Sequence, residues 1–277
     1  MPFGVAYRKK RKKLTYSGYL KISELLQLQS LLSKPEAHDE MLFIIIHQVY
    51  ELWFKQLLHE LDAISRCLNH GETLDAHRLL RRCIEIERVL IAQISVLETM
   101  TPVDFLDFRD NLMPASGFQS AQFREIEFLG GLKNSGYLKN FEKNSKGWKQ
   151  LKKRLNALSL WESFLNLLIR KGFSITKNRE LQAQELKKIY EQADQHYDLF
   201  LLTESLIEFD ELFSRWRLIH VQMVERMIGS KTGTGGTEGV GYLKSTLEKK
   251  FFPQLWELRT HIKKNDSATL KRRIKQK

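Results

Sequence analysis

Two stretches of this chain, residues 36–101 and 115–252, contain no proline, and within them apolar side chains return in alternating steps of three and four. Both facts favour long helices, because nothing removes a ladder donor and one face stays apolar turn after turn. The stripe Leu206, Phe209, Phe213, Trp216, His220, Met223, Met227 keeps this rhythm, as does Phe43, His47, Tyr50, Phe54, Leu57, Leu61. No alternating run of strand length and no internal repeat competes. The fold class expected is all-α, a bundle of long helices.

The pattern predicts a first helix over about 19–32, then a capping box at Ser33–Glu36 opening a helix that runs to about Leu68 and stops at Asn69-His70-Gly71. Further helices are expected over 74–99, from Thr101-Pro102 as a capped start, over 148–169, over 180–201 and over 204–228. Residues 113–146 read as irregular. The glycine-rich segment 229–241 breaks the chain, and a last helix over 242–263 is expected to bend near Pro253.

The net charge of +12 suggests a polyanion partner until it is located. Residues 1–13 hold six basic side chains and no acid, and residues 263–277 a net six more, so the body 14–262 is formally neutral. This divides the chain into a basic tail, one helical domain and a second basic tail; nucleic acid is not the expected partner. No apolar run reaches membrane length. Cys67 and Cys83 fit no metal or redox spacing and read as reduced thiols of a cytoplasmic protein.

Two stripe histidines, His47 and His220, carry the chemistry that the sequence offers. Either alone is most simply a satisfied core residue. Together, each flanked by aromatic rings, they suit a flat cofactor needing an apolar slot and one imidazole. There is no Cys-x-x-Cys-His for covalent haem attachment, and Glu51 is the one acid spaced to join a histidine, which is too few ligands for zinc. Arg109, beside Phe105 and Phe108, reads either as a partner of Asp104, Asp107 or Asp110 or as a clamp for a substrate carboxylate. The loop 229–241 has neither the spacing of a phosphate-binding loop nor a preceding strand, leaving a flexible connector or a lid.

Several ordered motifs resemble the tryptophan 2,3-dioxygenase family over roughly residues 14–262. They are Thr15-Tyr16-Ser-Gly-Tyr19, His38-Asp-Glu-Met-Leu-Phe43-Ile-Ile-Ile-His47, Phe108-Arg109-Asp-Asn-Leu-Met-Pro-Ala-Ser116, Arg215-Trp216-Arg-Leu-Ile-His220-Val-Gln-Met223 and Lys231-Thr-Gly-Thr234-Gly-Gly-Thr-Glu238. The resemblance implies a dioxygenase opening the indole C2=C3 bond of L-tryptophan with O₂ to give N-formylkynurenine. It implies a b-type haem, ferrous when active, with His220 as proximal ligand and Trp216 and Met223 beside it. His47 is expected to hydrogen-bond the indole N–H, and Phe43 to pack on the ring. Arg109 and Thr234 would hold the amino-acid end, with Phe105 and Ser116 in the pocket wall. Tyr16 and Tyr19 would reach a neighbouring subunit of a homotetramer. The family usually has glycine at position 17 and serines at 237 and 238, so Glu238 is expected to alter lid closure or substrate choice. The competing readings are a monooxygenase acting on another indole and a non-catalytic helical protein working through its tails.

Overall fold

The computed structural model describes residues 13–235 and 239–262. Both basic tails, apart from Lys13, and the departures at Thr237 and Glu238 lie outside the described residues. Thirteen α-helices and no strand occur among those described: α1 (Tyr16–Leu20), α2 (Ile22–Leu25), α3 (His38–His70), α4 (Thr73–Ala92), α5 (Ile94–Leu97), α6 (Pro102–Arg109), α7 (Ala121–Leu129), α8 (Lys146–Asn156), α9 (Leu160–Arg170), α10 (Arg179–Glu191), α11 (Tyr197–Ile228), α12 (Val240–Lys244) and α13 (Pro253–Leu258).

Two of these, α3 and α11, exceed thirty residues. They hardly approach each other directly. Instead α4 packs along both, and α7 and α9 lie against α3. The main core fills the space around α4, with Leu57, Leu61, Ile64, Leu80, Ile84, Leu206 and Phe209 all sealed from solvent. A smaller apolar cluster, containing Ile46, Leu97, Met100, Phe108 and Met223, closes the other end. The gap between α3 and α11 therefore has an apolar floor and two rigid walls.

The structure moves several expected boundaries. The helix expected over 19–32 is two short turns separated by Lys21 in the left-handed region (φ 56°), followed by extended chain. Its leucines are exposed, so no packing face supports a longer helix. The expected capping box pairs a different acid: Ser33 Oγ donates to Glu40 Oε2 at 2.5 Å and accepts from Ala37 N–H, so α3 starts at His38. The helix expected over 74–99 divides at Gln93. The one expected over 148–169 divides at Ser159, whose hydroxyl forms a capping box with Glu162 and opens α9. Thr203, next to the expected boundary at 202–203, instead donates its hydroxyl to the Leu199 carbonyl at 2.7 Å, and α11 runs through it. The last expected helix is replaced by α12, a set of turns, and α13, for which Pro253 is the first helical residue, not a bend. The two cysteines are free, as expected. No single described helix is long and apolar enough to cross a membrane.

Candidate functional site

A cavity of about 320 Å³ occupies the gap between α3 and α11. Phe43 and His47 line it from α3; Trp216, His220 and Met223 line it from α11; Phe105 and Arg109 line it from α6; Ser116 and Thr234 close one side. Nine of the eleven expected site residues thus converge on one space. Tyr16 and Tyr19 do not: they are 78% and 70% exposed on α1 and do not line this cavity.

The two histidines differ in their partners. His47 Nδ1 lies 2.7 Å from the Phe43 carbonyl oxygen. A carbonyl only accepts, so in the neutral ring Nδ1 carries the proton and Nε2 is left as an acceptor. Burial lowers the His47 pKa, opposed by that hydrogen bond and by the Glu51 carboxylate one turn on. His220 makes no hydrogen bond to any described residue; its ring stacks on Trp216 at 5.3 Å and 13°. Burial, with repulsion from His47 second, pushes its pKa down to about 4. A neutral imidazole with no hydrogen-bond partner among the described residues has a ring nitrogen lone pair chemically able to bind a metal.

Aromatic rings pack closely around both. Phe43 sits 4.0 Å from the His47 ring and 5.9 and 5.5 Å from Phe105 and Phe108. On the other side Phe123, Phe213 and Tyr50 surround Trp216 at 5.5 to 6.0 Å. Arg109 is 13% exposed in its side chain. Its Nη2 donates to the Thr232 carbonyl, while its contact to the exposed Asp110 is long, at 3.7 Å. Asp104 instead caps its own helix through Thr101. Among the described residues Arg109 thus has no close carboxylate partner. Thr234 Oγ1 donates to the Ala115 carbonyl at 2.7 Å, and a Cβ on Gly235 would fall 2.6 Å from Ser116 Cβ. Only glycine permits this close seating of the loop against Ser116.

A planar cofactor with acidic substituents fits these walls. Arg109 Nε and Arg124 Nε are buried N–H donors without a partner among the described residues, and both residues line the cavity. Among the described residues no three His, Cys, Asp or Glu side chains gather to hold a bare metal ion. The sequence reading gave no role to Arg124 or Gln122 and dismissed Glu51. The helix of Gln122 and Arg124, α7, was missed because Arg124, Glu125 and Glu127 are buried charges that hide its apolar period.

Comparison with known proteins places the chain in a family. The family model for tryptophan 2,3-dioxygenase matches residues 4–159 and 148–262. A tryptophan 2,3-dioxygenase of Nocardioides sp. is 48% identical over 263 residues, covering 93% of this chain and 98% of that protein. One from Herpetosiphon aurantiacus is 45% identical over 258 residues, covering 90% and 98%. One from Xanthomonas oryzae pv. oryzae is 42% identical over 262 residues, covering 90% and 88%.

Proposed function

The chain belongs to the tryptophan 2,3-dioxygenase family, and from that premise we propose that its cavity holds a b-type haem between His220 and His47 and opens the indole ring of L-tryptophan. The observation that carries this reading is the convergence of the two stripe histidines, one without any hydrogen-bond partner, on one apolar space. His220 would hold the iron, and Trp216 and Met223 would line the slot that takes the group. The unpartnered Arg124 Nε suits one of its acidic side chains. A ferrous haem supplies the activation of O₂ that lets both oxygen atoms enter the indole C2=C3 bond, giving N-formylkynurenine.

The protein's part is orientation in a dry space. Arg109 receives the substrate carboxylate, with Phe105 and Phe43 excluding water from the pair. Thr234 and Ser116 face the polar end. Phe43 packs on the indole, and His47 accepts the indole N–H at Nε2. His47 positions the ring and does not abstract the proton in the ground state. An indole N–H is a far weaker acid than an imidazolium, so full transfer would be steeply uphill.

The exposed leucines and tyrosines of segment 14–32 suit burial against a second copy, and the homotetramer belongs to this reading, as does a cytoplasmic site of action. The test is a visible spectrum of the reduced, haem-loaded protein, followed by L-tryptophan in air under ¹⁸O₂. Wild type is expected to show a Soret band and to place two labelled atoms in the product. His220→Ala is expected to lose the band. A His220→Ala protein with an unaltered band overturns the ligand assignment, and a singly labelled product overturns the dioxygenase reading for this chain.

A further inference from the structure

Helix α3 meets the cavity at successive turns. Phe43 stands at the Arg109 end against Phe105, His47 follows, then Glu51, and Phe54 stands against Phe123 and Trp216. Glu51 is the acid in this row, about one helical turn from His47. Gln122 of α7 holds it. The Gln122 amide Nε2 donates to the Glu51 main-chain carbonyl at 2.8 Å and to its Oε2 at 2.7 Å. The residue that fixes it is a neutral amide, and no ion pair to Glu51 occurs among the described residues.

Building on the reading above, in which His47 receives the indole N–H, we propose that Glu51 is a positioning residue acting through His47: its carboxylate, fixed by Gln122, stabilises the positive charge that His47 takes on as the indole ring is oxidised. Oxidation at C2=C3 draws electron density from the ring nitrogen. The N1–H then becomes a stronger donor, and the hydrogen shared with His47 Nε2 shifts toward the imidazole at the barrier and returns to the nitrogen as the product forms, which keeps that N–H. The substrate-bound ground state has a neutral imidazole and gains little from a nearby carboxylate. The benefit falls on the barrier, so it acts on kcat more than on KM. The other charged or titratable groups around the cavity do not supply it. His220 of α11 would add a like charge, Arg109 of α6 is engaged with the amino-acid end, and Arg124 and Arg217 are both paired with Glu127 on the far wall.

The test is a double-mutant cycle on the haem-loaded enzyme. Glu51→Gln is expected to lower kcat for L-tryptophan about five- to fiftyfold, with KM held within about twofold. The acid limb of kcat/KM is expected to move to lower pH, because the carboxylate that favours protonated His47 is gone. In a His47→Ala background the same substitution is expected to cost nothing further. Gln122→Ala, which leaves the acid in place but unfixed, is expected to repeat the effect more weakly, and it serves in the same cycle if Glu51→Gln does not fold. Equal losses in both backgrounds, or an acid limb that stays where it is, overturn the proposal and leave the haem reading standing. A wild-type enzyme that does not cleave tryptophan overturns both.

Discussion

At the scale of single residues, the most informative side chain outside the cavity is Glu87. It is 1% exposed in α4, neither carboxyl oxygen has a partner, and it faces Asp210 and Arg217. Burial first, then Asp210, raises its pKa well above the ordinary 4.5. Around it Arg217 pairs with Glu127, Arg124 pairs with Glu127 too, and Asp210 accepts from the Phe251 and Phe252 N–H groups and from Trp256. With Glu87 protonated, two acids balance two arginines. A carboxyl whose pKa is higher folded than unfolded holds its proton better when folded. Its contribution is intact below pH 4.5 and is lost as pH rises toward the folded value. Urea unfolding should therefore show wild type losing stability relative to Glu87→Gln as pH rises above about 4.5. Parallel stability profiles would show that Glu87 is not protonated in the fold. None of this was legible in the sequence, where Glu87 is one more acid on an amphipathic helix. By contrast His47, His220 and Arg109 were legible, because a polar residue at a stripe position or among phenylalanines stands out.

At the scale of elements, helices were easier to find than their ends. The long apolar stripes of α3 and α11 could be read directly, since both faces of the period are populated for many turns. Failures came where a local hydrogen bond overrode the stripe. Ser159 illustrates this: its main-chain N–H and hydroxyl both donate to Glu162 Oε2 at 2.7 and 2.8 Å, and its hydroxyl accepts from the Glu162 N–H at 3.2 Å. The Ser-Leu-Trp-Glu spacing announced the cap, but Leu155, Leu158 and Trp161 keep apolar spacing across it. Ser159→Ala is expected to cost about 1 kcal/mol in urea unfolding, as for other lost N-caps, with haem affinity unchanged. A neutral result would mean that α9 is held by packing alone. Thr203 fails in the opposite sense, its hydroxyl turned back to the preceding turn inside a helix that was expected to break at 202–203.

At the scale of the whole molecule, one chain gathers nine of the expected site residues around the cavity but leaves its amino-terminal segment uncovered. Leu14, Tyr16, Tyr19, Leu26, Leu28 and Leu32 are each at least 60% exposed, an apolar strip that a lone subunit in water would bury if it could. The tether is short, since Gln29 Nε2 donates to Gln48 Oε1 at 2.6 Å and fixes the strip's end beside α3. Replacing Tyr16 and Tyr19 together with serine is expected to lower the particle mass measured by light scattering and, on the subunit contact proposed above, to raise KM for tryptophan. An unchanged mass with unchanged KM would remove these tyrosines from any subunit contact. The all-helical class and the convergence of nine site residues followed from periodicity and motif order. The docking of α7 and the Glu51–Gln122 pair did not, because contacts between distant segments leave no period in the chain.

The stacking of Trp216 on His220 at 5.3 Å has a practical result. This indole is an intrinsic fluorophore lying against the ring expected to hold the iron, so its emission would be extinguished by energy transfer when a porphyrin enters the slot. The protein thus carries its own optical gauge of loading, readable at nanomolar concentration and without any turnover.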